Sequence, residues 1–258
     1  MFRSIREIFQ YKEMIASLVR QSLRTRYRGS FLGFLWTFVN PLMQLVVYSI
    51  VFSVVMRIEI DNFAMYLFIG LIPWIFFANA LRESSVCILN NDNLIKKIYF
   101  PRAVLPVSVV LAGFINMMLG FVIVIAMLLL TGLGLSLEIV YLPVVLAVEL
   151  VLSTGIALWV SSLTVYFRDL EHMLEVVTMV WFYLTPIVYN VELIPERWQP
   201  LFRLNPMYAL IQEYRNVLFF QTGLDAGNLV YPAVLSVLLL FSGVLVFEKL
   251  QRNFAEEI

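Results

Sequence analysis

The chain opens on a mixed pattern and then becomes almost continuously apolar. Over residues 4–28, Ile5, Ile8, Ile15, Val19, Leu23 and Tyr27 recur at steps of three, four or seven, while Arg6, Lys12, Arg20 and Arg24 fall elsewhere. This spacing puts the apolar set on one face of a helix. Ser4 and Glu7 have the spacing of a capping box at its start. Such a helix either lies in the plane of a membrane interface, apolar side down, or packs on a partner protein. From residue 29 the pattern changes. Residues 29–56 contain no Asp, Glu, Lys or Arg. Further apolar runs cover 62–81, 103–137, about 139–167 (interrupted only by Glu149), roughly 172–191 and 226–247. About 20 apolar residues cross the hydrocarbon core of a bilayer. The run at 103–137 is too long for one straight crossing, and Gly132 and Gly134 mark its end. The expectation is an all-α integral membrane protein, with an amphipathic interfacial helix over 1–28 and six transmembrane helices over 29–258.

Composition agrees. The chain is 61% hydrophobic and 14% charged, where a soluble domain carries about 25% charged residues. So little charge cannot cover a water-exposed surface, which makes lipid the main solvent. The net charge is zero, so no global nucleic-acid footprint is indicated. One cysteine, Cys87, excludes an intrachain disulfide. The N-terminus lacks the apolar core and small-residue site of a cleavable signal peptide. An even number of spans puts both termini on one side. With that side inside, fourteen basic residues fall on inner segments, including Arg20, Arg24, Arg26, Arg28, Arg82, Lys96, Lys97, Arg102 and Arg168. Four fall outside: Arg57, Arg197, Arg203 and Arg215. The positive-inside rule therefore predicts cytoplasmic termini.

Two connections have character of their own. The inner one, 82–102, reads RESSVCILNNDNLIKKIYFPR. Asn91 or Asp92 can cap a short helix there, and Pro101 stops the structure before the third span. Such a basic, apolar helix is suited to receiving a push from a soluble partner; the alternative is an ordinary solvated loop. The outer connection, 192–225, is long for a structureless loop. Residues 207–220, MYALIQEYRNVLFF, read as an amphipathic helix with Tyr208, Ile211 and Leu218 apolar. Thr185-Pro186 lies inside the preceding run, where proline removes a backbone donor and kinks a helix. Non-helical backbone at membrane depth needs protein or a water-lined cavity around it. Short re-entrant helices before the last span are the expected outcome.

The chemistry of a self-contained enzyme is missing. There is no P-loop, no HExxH and no GxSxG. His172 is the one histidine and reads as a plain interfacial side chain; no metal site is expected. Only Glu149 is an ionisable residue deep in a span, which makes it a functional candidate by default. It has no charged partner in its own span, so a protonated or interhelix hydrogen-bonded carboxyl fits it as well as a transport role. What remains is polar and aromatic patterning. Trp36, Asn40, Gln44 and Tyr48 recur every four residues in the first span, and Thr178, Trp181, Thr185 and Tyr189 recur at three and four in the fifth. Buried amides without partners cost a few kcal/mol each. These faces therefore meet other helices, an aromatic interface belt, or a passage in which sugar rings stack on aromatics.

Six stretches, in order, carry a resemblance to a known family: RYRGSFLGFLWTFVNPL (26–42), GLIPWIFFANAL (70–81), NLIKKIYFPRAVLPVS (93–108), VYFRDLEHM (165–173), TPIVY (185–189) and LIPERWQPLFRLNPM (193–207). Together they resemble the permease subunits of ABC transporters that export polysaccharides, and are most similar to the lipopolysaccharide O-antigen exporters. Capsule and teichoic acid exporters are close relatives. The resemblance implies a homodimer of this chain in the bacterial inner membrane, bound to two copies of a separate ATPase subunit that holds ATP and Mg. It implies export of undecaprenyl-diphosphate-linked glycan, with no cofactor on this chain. Trp36, Asn40, Gln44, Tyr48, Thr178, Trp181, Thr185 and Tyr189 would line the substrate passage. Arg24, Arg26 and Arg28 would attract the diphosphate headgroup at the cytoplasmic entrance, or serve only to set the topology. Asn93, Leu94, Ile95, Lys96, Lys97, Phe100, Arg102, Arg168 and Asp169 would couple to the ATPase, and Pro195, Trp198, Asn205, Pro206 and Tyr208 would form an outer gate. The rival readings are a permease for a small drug or lipid, an intramembrane glycosyl- or acyltransferase, and a passive scaffold.

Overall fold

A computed structural model describes residues 10–25, 33–55 and 60–257. All regular secondary structure among them is helical. The capping box at Ser4 and Glu7 lies outside the described residues. Helix α1 spans Lys12–Thr25. Its apolar side does not lie free: Tyr11, Met14, Ile15 and Leu18 pack against a small core at one end of the molecule. Helix α2 (Trp36–Ser49) follows a 3-10 turn and runs on as a π-helix, Ile50–Val55.

Among the described residues, four helices are long and apolar enough to cross a membrane: Phe63–Val86, Val104–Leu130, Leu137–Thr164 and Ala226–Asn253. They contain α3 (Phe63–Val86), α5 (Val104–Leu130), α6 (Leu142–Thr164) and α10 (Ala226–Leu250). Their burial differs. The most apolar window of α3 is 78% buried, against 33, 33 and 22% for the others. So α3 is the axis of the bundle, and α5, α6 and α10 each turn a broad apolar face outward. The large apolar residues exposed on α10 are Val230, Tyr231, Val234, Val237, Leu238, Phe241 and Leu245. In water such a face would be an aggregation liability; in hydrocarbon it is solvated.

The closest helix pair is α6 with α10. A side-chain carbon built on Gly155 would lie 2.6 Å from the Leu240 amide nitrogen, and one on Gly243 would lie 2.6 Å from the Gly155 carbonyl oxygen. Glycine at both places lets the backbones touch, the means by which apolar helices gain packing where no hydrophobic effect separates them from lipid. Trp159 on α6 adds a hydrogen bond from its indole to the Ser242 hydroxyl, 3.1 Å.

The short elements gather at the two ends. At one end, termed the basic end, α4 (Asp92–Lys97) and the C-terminal hook α11 (Phe254–Glu257) join α1. Cys87, Ile88, Phe100, Val104, Leu158, Phe247 and Phe254 make their common core. Asn91 stands before α4 but does not cap it; its amide donates to the Cys87 carbonyl at 2.8 Å. Asp92 instead pairs with Lys96 one turn on, at 3.7 Å. At the far end, Gly132 and Gly134 take positive φ (78° and 70°) after α5, a conformation that glycine adopts at no steric cost.

The fifth apolar run folds differently from its expectation. Helix α7 covers only Leu170–Tyr183, about 21 Å of rise. Pro186 does not kink it. The helix stops at Tyr183 and Pro186 sits in the turn beyond. Two further helices follow, α8 (Gln199–Arg203) and α9 (Pro206–Arg215), the latter extended by a π-helix, Asn216–Phe220. The amphipathic helix expected at 207–220 is present, and it is packed into the core. Met207, Ala209, Leu210, Ile211, Glu213, Tyr214, Arg215, Val217 and Leu218 are all buried, against α3, α6 and α10. Its charges are tolerated inside because each has protein partners, as described next.

Candidate functional site

A groove of about 330 Å³ lies between α2, α3 and α7. Gln44 and Tyr48 line it from α2; Trp74, Ala78 and Asn79 from α3; Thr178, Met179, Phe182 and Tyr183 from α7. Arg82 and Glu175 line it toward the basic end. Its aromatic wall is continuous: the Phe182 ring is 5.7 Å from Trp74, 5.3 Å from Tyr183 and stacked on Tyr48 at 5.8 Å and 29°. Ring faces beside two amides and an ion of each sign form a surface that C–H groups can stack on and hydroxyls can hydrogen-bond to.

The first-span face predicted from spacing is divided between two spaces. Gln44 and Tyr48 line the groove. Trp36 and Asn40 line a smaller cavity of about 100 Å³ between α2, α3 and α5, beside Asn79 and Asn116. Both polar atoms of the Asn116 amide are buried there without a protein partner.

The fifth-span face is mostly turned away from the groove. Thr178 lines it, but its hydroxyl donates to the Leu174 carbonyl of its own helix at 2.7 Å. Trp181 stands edge-on to Phe77, 5.0 Å away, and its indole donates to Asn205 Oδ1 at 2.8 Å. Thr185 is fully buried; its hydroxyl donates to the Trp181 carbonyl and accepts from Asn205 Nδ2, both at 2.8 Å. The Tyr189 hydroxyl donates to the Tyr183 carbonyl at 2.7 Å. Trp181 and Thr185 thus share a face, and that face meets Asn205 at the start of α9. The neighbouring positions Phe182 and Tyr183 take the groove. Trp74 and Asn79 were missed in the sequence. The signal was present: an amide inside an uncharged run, as at Asn40, with an aromatic residue five positions before it.

Of the gate candidates, Asn205 has the fullest set of bonds. Besides Trp181 and Thr185, its side chain accepts from the Met207 amide at 3.0 Å and so caps α9. Pro206 is buried at the first turn, and Tyr208 is half-buried. Pro195 and Trp198 are exposed, with the Arg197 guanidinium 5.4 Å from the Trp198 ring centre.

The coupling candidates divide by exposure. Asn93, Lys96, Lys97, Arg168 and Asp169 are exposed. Leu94 and Ile95 pack on the basic-end core, and Phe100 is buried within it. Arg102 reaches the C-terminal hook, donating to the Gln251 carbonyl and lying 5.7 Å from the Phe254 ring centre. The residues that project are Ile98 and Tyr99, the latter 95% exposed, together with Phe167. Arg24 is exposed at the last turn of α1, while Arg26 and Arg28 lie outside the described residues.

Two buried ionisable groups, one on α6 and one on α9, each have partners of their own. Glu149 of α6 is fully buried and accepts a hydrogen bond of 2.5 Å from the Tyr214 hydroxyl. Arg215, also fully buried, donates from Nη1 to the Pro186 carbonyl and from Nη2 to the Ile187 carbonyl, both at 2.7 Å, and from Nε to the Tyr66 carbonyl at 3.3 Å. Its guanidinium lies 3.6 Å from the centre of the Tyr66 ring. Glu213 accepts from the Asp225 amide and the Asn216 side chain. Among the described residues no group of three His, Cys, Asp or Glu could hold a metal ion.

Comparison with known proteins fits this architecture. The chain is 36% identical over 260 residues to the O-antigen export system permease protein RfbA of Myxococcus xanthus, covering all of both chains. It is 31% identical over 245 residues to the protein of the same name from Klebsiella pneumoniae, covering 95% of this chain and 94% of that one. A more distant relative is the polysialic acid transport protein KpsM of Escherichia coli, 24% identical over 243 residues, with 92% and 93% covered. The profile of the ABC-2 type transporters matches residues 13–219. With these likenesses running over nearly the whole length, the chain belongs to the ABC-2 type transporter family.

Proposed function

We propose that this chain is the membrane subunit of an ATP-driven exporter that moves undecaprenyl-diphosphate-linked O-antigen polysaccharide from the cytoplasm across the inner membrane. The observation that carries the reading is the groove between α2, α3 and α7, with its stacked wall of Tyr48, Trp74 and Phe182 and its amides Gln44 and Asn79. In this reading α2 with its π-helical extension and α7 complete a set of six spans, and α8 and α9 form the re-entrant pair before the last. The basic end faces the cytoplasm, in line with the fourteen-to-four distribution of basic residues. The groove is open on one side, where Gln44, Glu175, Met179 and Tyr183 are exposed. A second copy of the chain would close it into a passage. Ile98, Tyr99 and Phe167 project beside α4 and the turn at Arg168-Asp169, which supports docking of two ATPase subunits there; ATP and Mg would be bound by them. Arg24, Arg26 and Arg28 would draw the diphosphate toward the entrance, each contributing on the order of 1 kcal/mol near an anionic surface. The likeness to a polysialic acid transporter makes a capsule polymer the second reading.

The test is to fill the groove. Ala78→Trp places an indole in it. In cells whose own copy is deleted, the variant is expected at normal level in the membrane while surface O-antigen disappears. Loss of capsule instead selects the second reading, and full surface glycan of both kinds overturns the proposal.

A further inference from the structure

We propose that Arg215 is a positioning residue that fastens the break after α7 to α3, so that α3, α7 and α9 move as one wall of the groove and α2 is the wall that moves against it. The inference rests on the groove's being the transport pathway. It starts from an unusual side chain. Arg215 is fully buried, and its partners among the described residues are carbonyl oxygens and a ring rather than a carboxylate. Two of those carbonyls, of Pro186 and Ile187, are released because α7 ends at Tyr183. Backbone freed from a helix in the interior of a membrane protein must find donors from protein. The planar fork of a guanidinium supplies two parallel donors in fixed geometry, which a lysine cannot. The third bond, to the Tyr66 carbonyl, and the ring beneath tie the same group to α3.

The sequence makes room for it. Gly70 lies on α3 one turn beyond Tyr66, and a side-chain carbon there would meet Arg215 Nη2 at 3.0 Å. Asn205 makes a second tie from α9 to α7, through Trp181 and Thr185. Three elements are thereby joined at the far end of the groove by charge-assisted and neutral hydrogen bonds. Helix α2 is held differently. Leu45 is its one fully apolar buried residue among those described, Met43, Val46, Val47, Ile50 and Val51 are exposed, and it ends in a π-helix. It packs along α3 and α5, and its link to α7 is the Tyr48–Phe182 stack, a contact that can slide.

The experiment reads distances within one chain of the transporter assembled with its ATPase in lipid nanodiscs. Spin labels are placed, in a Cys87→Ser background, at the exposed positions Val51, Asp61 and Val180, and labelled chains are diluted with unlabelled ones. On ATP binding the Val51–Val180 distance is expected to shift while the Asp61–Val180 distance holds. In Arg215→Met the Asp61–Val180 distribution is expected to broaden. Gly70→Ala keeps the arginine but crowds it, and is expected to broaden the same distribution less; it carries the test alone if Arg215→Met does not fold. An Asp61–Val180 distance that moves with ATP as far as Val51–Val180, or one unchanged in Gly70→Ala, overturns the proposal. Glycan export is measured with the same complex reconstituted into sealed proteoliposomes. Its absence from the unlabelled parent complex counts against the transport reading, whereas export with both distances moving counts against Arg215 alone.

Discussion

Adding one methyl group at Gly155 should destabilise the chain more than any other single methyl added to its helices. The new carbon would lie 2.6 Å from the Leu240 nitrogen, 2.7 Å from the Leu239 carbonyl carbon and 2.9 Å from the Leu240 Cα. Unstrained contacts between heavy atoms are about 3.5–4.0 Å, so α6 and α10 must part by roughly 1 Å. All three obstructing atoms are backbone, and no rotamer change relieves them. Overpacking a well-filled interior costs about 1–3 kcal/mol. Parting the helices also forfeits about a quarter to a half of the dispersion well at each contact along the crossing. The expected loss for Gly155→Ala is therefore about 2–4 kcal/mol. Gly113→Ala is the internal standard: its methyl would meet only the Phe76 ring, at 3.2 Å, and a side chain can turn aside, so a loss below about 1 kcal/mol is expected. Gly243→Ala strikes the Gly155 carbonyl at 2.6 Å. Since one separation of the helices accommodates both methyls, the double variant should lose less than the sum of the two single losses. The assay is unfolding in mixed micelles of dodecyl maltoside and increasing SDS, followed by tryptophan fluorescence, to which Trp159 at the crossing contributes. A Gly155→Ala chain no less stable than Gly113→Ala, or strict additivity in the double variant, would refute the reasoning.

Three further outcomes follow from the same geometry. Asn205→Leu removes the α9 cap and strands the Trp181 indole N–H, for a loss of about 2–4 kcal/mol in the same titration; Asn205→Asp keeps both acceptor contacts and should lose less. Phe100→Ala empties a buried site in the basic-end core and should cost about 3–5 kcal/mol, whereas Tyr99→Ala should leave stability unchanged and weaken co-purification of the ATPase subunit. Tyr214→Phe leaves the buried Glu149 carboxyl without its donor, a loss of about 1–3 kcal/mol, while Glu149→Gln, whose side-chain carbonyl still accepts from Tyr214, should be close to neutral in stability; export by the Glu149→Gln chain reports whether the carboxyl has any role beyond that bond.

The parts of this architecture that were legible in the sequence are those set by local pattern. The uncharged runs placed α3, α5, α6 and α10, and the capped, proline-flanked segment at 92–101 gave α4 its place if not its cap. Trp181 and Thr185 do lie together, although α7 has ended before Thr185, because the Thr185 hydroxyl and Asn205 join them. Which way that face points was not legible. Asn205, twenty residues on, turns it toward α9, and this depends on a fold of the intervening chain that no periodicity records. Arg215 shows the same limit. Counted as a loop charge in the sequence, it is one of the most deeply buried side chains, because two of its partners are main-chain carbonyls that become available only once α7 has ended. The helix at 207–220 was legible, but the burial of its Glu213 and Arg215 was not, since a helix surrounded by protein can carry inward-facing charges when each has a hydrogen-bonding partner.

Sequence alone determined that this chain lives in lipid, that it is helical, and which of its ends is basic, because hydropathy, helical spacing and charge are summed residue by residue. Only the tertiary structure decided that α3 is the axis, that α7 stops short and is held by Arg215, and that Trp74, Phe182 and Asn79 rather than Trp181 and Thr185 face the groove. Those outcomes depend on close approach between distant segments, where a glycine's missing side chain or a freed carbonyl matters as much as any residue that is present.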